Sequence, residues 1–379
     1  MVWSRCACDE RRGGLWRAAD AMPREAMMDW TQKATDFEAL PRACPEGRRV
    51  DARIKAEPED FQVEEVPIYR PCGEGEHLFL WVEKRNLAGA DLIKLLGHAL
   101  CIGQGDIGVA GTKDKRAVTR QWVSVPLSCE AAARGLALYG VKVLDAIRHR
   151  NKLRLGHLAG NRFSILLRGA PREALDDLKR TAGKLETRGF FNLYGPQRFG
   201  IGNRTLQDGL RMLQGQHARS GPFERRMRLS AVQAALFNLY VAMRVEAGIE
   251  SKVLRGDVMS KVATGGLFVV EDAAVEQARL DAGETRITGP MFGHKMMAAR
   301  YEAGEFEEEV LRAAGMTLDD FRPFSRLAEG TRRSVWTRPE GTIVTPADEG
   351  IWLSFYLPSG SYASVMLREF VNHPEEAER

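Results

Sequence analysis

Gly111-Thr112-Lys113-Asp114-Lys115-Arg116-Ala117-Val118-Thr119-Arg120-Gln121 sets one carboxylate between two lysines, with two arginines close behind. Neighbouring positive charge favours the ionised form of such an acid. The acid then serves one of two ends. It is a salt-bridge partner, which at a surface is worth little, or a reacting carboxylate held beside a polyanion. The stretch alone leaves both open. Its neighbours say more about architecture. Ile107-Gly108-Val109-Ala110 precedes it and Gln121-Trp122-Val123-Ser124-Val125 follows, both strand-like. Asp114 therefore lies on a turn between strands, where a rigid scaffold can hold a reacting group.

Upstream, Phe61-Gln62-Val63-Glu64-Glu65-Val66 alternates like an edge strand, and Leu78-Phe79-Leu80-Trp81-Val82 is a second strand. Leu92, Leu95, Leu96, Ala99 and Leu100 stripe one face of a helix over 91–101, with Asp91 as N-cap. Downstream, Phe163-Ser164-Ile165-Leu166-Leu167 is a strand, and a helix over 172–187 is closed by Gly189. Beyond Gly189 the pattern turns mostly helical. A helix spans 230–247 with Ser230 as N-cap and Gly248 as stop, and an acidic helix spans 305–314. Strands return over 335–337 and 351–357, and a last helix covers 361–371. This order predicts a sheet-based domain built from 51–188 and 334–379, with 189–333 inserted as a second domain. A length of 379 residues suits about two domains. Residues 1–50, rich in Arg and Ala without a sustained period, read as a disordered extension.

A hydrophobic share of 44% and a charged share of 28% describe an ordinary globular chain, and a net charge of +4 does not by itself mark a nucleic-acid binder. Cys6, Cys8, Cys44, Cys72, Cys101 and Cys129 match neither a zinc pattern nor a disulfide framework. No apolar run approaches the length of a membrane helix, and the N-terminus lacks a signal peptide, so a cytoplasmic protein is expected. The glycines at 195, 200 and 202 form no dinucleotide fingerprint, and Gly111-Thr112-Lys113 is not a Walker loop. No cofactor, metal, membrane contact or obligate protein partner is expected.

Two further stretches carry charge or polarity of interest. If Arg148-His149-Arg150-Asn151-Lys152-Leu153-Arg154 is extended, Arg148, Arg150, Lys152 and Arg154 share one face. Such a stripe either protects a sheet edge or tracks phosphates. Gly160-Asn161-Arg162-Phe163 reads by itself as a turn before a strand. With a substrate, Asn161 would read a base edge and Phe163 would stack.

Taken together, the motifs resemble one family. The stretch 111–119 is similar to the catalytic motif of the TruD family of tRNA pseudouridine synthases. So are Pro58-Glu59-Asp60-Phe61, Gly160-Asn161-Arg162-Phe163, Tyr194-Gly195-Pro196-Gln197-Arg198-Phe199-Gly200 and Leu357-Pro358-Ser359-Gly360-Ser361-Tyr362-Ala363. They come in family order over 53–373. The resemblance implies an α+β pseudouridine-synthase catalytic domain with a mixed, largely antiparallel sheet, split by an inserted TRUD-type domain. It implies isomerisation of a uridine, typically at tRNA position 13, with tRNA as partner. Asp114 matches the catalytic aspartate, and Phe61, Asn161 and Tyr362 match positions lining the uridine pocket. Relatives can carry Phe where Tyr362 stands. Phe163 is a further candidate stacker. Lys55 orients the acid or binds a phosphate, and Lys113, Arg116 and the 148–154 stripe meet the RNA backbone. The alternative reading is a non-catalytic RNA-binding or RNA-chaperone protein using the same basic surface.

Overall fold

A computed structural model describes residues 24–216 and 220–372. After helix α1 (Arg24–Thr35) come strands β1 (Phe61–Pro67) and β2 (His77–Arg85), then helix α2 (Gly89–Ala99). Strands β3 (Gly108–Val109) and β4 (Val118–Pro126), helix α3 (Glu130–Arg134), strands β5 (Val141–His149) and β6 (Leu158–Arg168) and helix α4 (Leu175–Arg188) follow. β7 (Phe190–Phe191) leads away to helices α5 (Arg204–Leu213) and α6 (Pro222–Glu246). Next are β8 (Val258–Lys261), β9 (Leu267–Val269), helix α7 (Ala273–Asp281), β10 (Thr285–Met291), helix α8 (Tyr301–Ala313) and β11 (Thr331–Ser334). β12 (Trp336–Thr337) pairs antiparallel with β7, so the chain returns beside the point where it left. β13 (Glu340–Ala347), β14 (Gly350–Pro358) and helix α9 (Ala363–Leu367) complete it.

The strands of the first and last stretches form one eight-stranded sheet in the order β13-β14-β6-β1-β4-β2-β5, with β3 beside β4. β1 and β4 run parallel, and the other pairs are antiparallel. The class is thus α+β with a mixed, mostly antiparallel sheet. The intervening stretch carries its own four-stranded sheet, β11-β10-β8-β9. One apolar core runs through both parts, from Ile165 and Leu353 on the large sheet to Phe237 and Val241 on α6.

Several sequence expectations are corrected. β1 is an interior strand, not an edge, with β4 on one side and β6 on the other. Alternation reports a half-solvated face and is silent on neighbours in the sheet plane. Gly160-Asn161-Arg162-Phe163 lies inside β6 rather than in a turn before it. Gly160 is there because β14 comes close: a Cβ would sit 2.2 Å from the Leu357 carbonyl oxygen. α2 starts at Gly89 with Ala88 as its cap, leaving Asp91 in the first turn. α6 starts at Pro222, so Ser230 is interior to it; proline suits a first helical position. The terminal helix is confined to α9.

The basic stripe is also corrected. β5 ends at His149, and Arg150 begins a loop. Arg148 donates to Glu130 (2.7 Å), while Arg150 donates to Glu74 on a different segment. Arg150, Lys152 and Arg154 lie beyond the strand, so strand alternation does not set the four cations on one face.

Much of the stretch read as disordered is packed. Trp30, Ala34 and Phe37 are buried in the core. They recur at i, i+4 and i+7, a helical spacing hidden among charged residues. The Ala43 and Cys44 backbone N–H groups donate to the Glu369 carboxylate (2.9 and 3.0 Å), and Arg368 donates to the Leu40 carbonyl (2.7 Å). Residues 1–23, with Cys6 and Cys8, lie outside the described residues. Among the described residues no helix is long and apolar enough to cross a membrane.

Candidate active site

Pro58-Glu59-Asp60 forms one 3-10 turn closed by a reciprocal cap, with the Glu57 N–H donating to Asp60 Oδ2 (2.9 Å). The Arg168 guanidinium binds both Asp60 oxygens, at 2.6 and 3.0 Å. Burial raises the Asp60 pKa, but the Arg168 fork and backbone donors outweigh it and hold the carboxyl below its usual range. This anchor fixes where β1 starts. Phe61, Val63 and Glu65 then alternate onto its buried face.

Lys55 has a left-handed backbone, φ 59°, which costs a non-glycine residue roughly 1–3 kcal/mol. Its buried ammonium lies 3.3 Å from Asp114 Oδ2 and 4.2 Å above the Phe61 ring. The strained backbone is where the chain turns this cation toward the acid.

The Asp114 turn is pinned from beneath. Lys113 pairs with Glu65 at 2.8 Å, both side chains almost fully buried. Burial pushes the Glu65 carboxyl above its usual range, with the Lys113 charge opposing. Lys84, wholly buried on β2, donates to the Asp114 carbonyl oxygen (2.7 Å) and the Leu87 carbonyl oxygen (2.6 Å). Burial lowers the Lys84 pKa to about 8, against the opposing pull of Asp114. The backbone on both sides of the Asp114 side chain is thereby fixed, and that side chain remains 44% exposed.

It faces a cavity of about 290 Å³. Phe61 and Phe163 meet edge to face on one wall (6.1 Å, 73°), and Phe163 stacks on Phe355 behind it (5.4 Å, 27°). Tyr362 lines the cavity as well, with its ring 5.7 Å from Tyr194. Asn161 also lines the cavity, and its buried Oδ1 has no hydrogen-bond partner among the described residues. A buried polar atom left unpaired is costly, so it points to a ligand that would complete it. Asp114 is the one carboxylate among the described lining residues.

The family model for "tRNA pseudouridine synthase D (TruD)" matches residues 44–219 and 223–370. The chain belongs to the TruD family of tRNA pseudouridine synthases. It is 42% identical over 335 residues to tRNA pseudouridine synthase D of Anaeromyxobacter dehalogenans, covering 86% of this chain and 95% of that one. It is 43% identical over 321 residues to the Thermus thermophilus enzyme of the same name, covering 84% and 88%. A crystal structure of a putative TruD from Methanosarcina mazei shares the fold, with a TM-score of 0.73 and 24% identity over 89% of this chain and 98% of that chain.

Five of the six substrate-site candidates of this TruD-family chain are substrate-binding expectations, and they converge with Asp114. Lys55, Phe61, Asn161, Phe163 and Tyr362 all line the cavity. Lys113 lines it as well, but its ammonium turns inward to Glu65. Arg116 is exposed and reaches the Ala56 carbonyl oxygen (3.4 Å). Arg148, Arg150, Lys152 and Arg154 are not among the residues lining the cavity. Sequence reasoning missed Lys84, Glu65, Gln197 and Arg333. Glu65 had a signal, since it is in phase with Phe61 and Val63 on the buried face of β1. Gln197, from the segment after β7, lines the cavity. Arg333 lies 4.1 Å over the Tyr194 ring and 5.7 Å from Tyr362.

Proposed function

We propose that this chain isomerises a uridine of tRNA to pseudouridine, at position 13, with Asp114 as the reacting carboxylate. The observation that carries the reading is the single acid among the described residues lining an aromatic-walled cavity, with a buried cation and an unpartnered amide oxygen in the same lining. The target base must leave its stack to enter, at a cost of about a few kcal/mol, which stacking and edge hydrogen bonds offset. Phe61, Phe163 and Tyr362 bracket the base, and Asn161 takes its edge. In the reaction the N1–C1′ bond breaks, the base turns, and C5 bonds to C1′. C5 loses a proton and N1 gains one, so nothing is oxidised or hydrolysed. Asp114 acts at C1′ or C6. Lys55 holds the carboxylate in place.

The domain reading follows the same logic. Residues 51–188 and 334–379 form the catalytic domain, and 189–333 form an inserted domain that adds Gln197 to the cavity. Arg116, which is exposed, would meet the strand, whereas Lys113 is buried against Glu65 and supports the turn instead. A tRNA substrate supports a cytoplasmic site of action.

The test is Asp114→Asn. The variant should fold and bind unmodified tRNA with the wild-type Kd, and form no pseudouridine when the tRNA is mapped by carbodiimide adducts and primer extension. Wild-type activity in the variant rejects Asp114. A wild-type adduct away from position 13 rejects the site.

A further inference from the structure

A second groove lies between the segment after β1, the start of β2 and the loop joining β5 to β6. Tyr69, Arg70 and His77 line it from one side, and His149, Lys152 and Arg154 from the other. His157 completes it. Tyr69 is the organising side chain. Its ring stacks on His149 (5.1 Å, 18°), and its hydroxyl meets His157 Nδ1 at 2.7 Å. His77 Nδ1 is buried without a hydrogen-bond partner among the described residues. Arg70 and Arg154 are exposed, and neither has an ion-pair partner among the described residues. Among the described residues no carboxylate lines the groove.

The groove is tied to the cavity. The Gly156 N–H donates to the carbonyl oxygen of Ala110, the residue before the Asp114 stretch (2.9 Å). The Leu153 N–H donates to Ser124 Oγ on β4 (3.0 Å), and Leu158, just beyond the loop, would meet a Cβ at Gly111. The loop that lines the groove is thereby tied to the segment that leads into the turn carrying the acid.

We propose that this groove binds the phosphodiester backbone of the tRNA strand flanking the target nucleotide. The proposal deepens the function above and rests on it. Unpaired guanidiniums, imidazole N–H donors and an aromatic platform, with no acid among them, match the chemistry of a single-stranded RNA track. Arg70 and Arg154 take phosphate oxygens, and the Tyr69–His149 stack supports a neighbouring base. Arg148 and Arg150 do not contribute, because Glu130 and Glu74 already hold them.

The experiment uses the full chain and an unmodified tRNA transcript. The double variant Arg70→Ala/Arg154→Ala should raise Kd by about ten-fold or more at moderate salt. It should reduce the slope of log Kd against log salt by about 2, one for each lost phosphate contact. Pseudouridine formation at sub-saturating enzyme should fall in step with the weakened binding. The control Arg148→Ala/Arg150→Ala should leave Kd and slope within two-fold of wild type. An unchanged slope in the first variant, or an equal loss in the control, overturns the groove. If the wild-type enzyme forms no pseudouridine on the transcript, the activity is overturned instead, and the binding measurements still read the groove.

Discussion

Lys84 shows how one side chain can be costly to the fold and useful to the site. Burying an ammonium is unfavourable unless donors and partners replace water. Here two carbonyl oxygens do so, one of them belonging to Asp114. The linkage has a definite sign. The folded-state pKa of about 8 lies below the ordinary 10.5, so between those values the unfolded chain binds more protons than the folded one. Stability conferred at this position therefore rises with pH across that window, and the penalty is present in full below it. We expect the stability of wild type relative to Lys84→Met to increase between pH 8 and 10.5, with ~3 kcal/mol as a ceiling. Urea midpoints of the two proteins at a series of pH values measure this. A constant difference would show that the ammonium is not desolvated. In Lys84→Met the Asp114 carbonyl also loses its donor, so the rate should fall even where the variant folds. Nothing in the sequence marked Lys84, because a lysine at the end of an apolar strand reads as a solvated edge residue. Its partner is a backbone atom thirty residues away. Asp114 was legible for the opposite reason, since its charged neighbours are local.

At the scale of elements, what was legible is what depends on a short period. The apolar alternation of β2, β4, β6 and β14 is visible in their residues, and each strand lies close to where it was expected. Neighbour relations were not visible. β1 pairs with β4 in parallel and with β6 antiparallel, and this interior position brings Phe61 beside Phe163. The site is thus made by two adjacent strands whose contact is non-local. The stretch ahead of β1 was the largest miss. Charged residues dilute its period, and its partners, α6 and the 368–371 segment, are more than 180 residues further on. Its burial makes a prediction. Trp30 is 3% exposed in the core, so Trp30→Ala should cost about 3–5 kcal/mol, as for large aromatic truncations in other cores. Chemical denaturation followed by far-UV circular dichroism reads it. A loss below about 0.5 kcal/mol, the usual range for surface changes, would mean that this stretch adds nothing to the fold.

At the scale of the whole molecule the cavity sits on a seam. Its acid, its aromatic wall and Asn161 come from the large sheet, whereas Gln197 comes from the stretch that follows β7. The two meet at the paired strands β7 and β12, and Arg333 lies across that junction. Its guanidinium donates to the Asn192 carbonyl (2.9 Å) and to the Asn192 side-chain oxygen (2.7 Å). It also packs over Tyr194 and Phe237 and toward Tyr362. Burial lowers its pKa, with the Tyr194 and Tyr362 hydroxyls opposing. A planar fork with two faces can donate twice and stack at the same time, which an ammonium cannot. Arg333→Lys keeps the charge and loses that geometry. The Tyr362 wall should then loosen against a base that it must hold still while the base turns. We expect the single-turnover rate to fall about ten-fold, equivalent to about 1.4 kcal/mol of transition-state stabilisation. The tRNA Kd should stay within two-fold of wild type, because Arg333 does not touch the backbone track. A variant with weaker tRNA binding and an unchanged saturating rate would place Arg333 in RNA capture instead of in alignment of the seam. Tyr362→Phe separates the ring from its hydroxyl in the same assay. If the wall acts through its aromatic face, this variant retains the wild-type rate while Arg333→Lys does not.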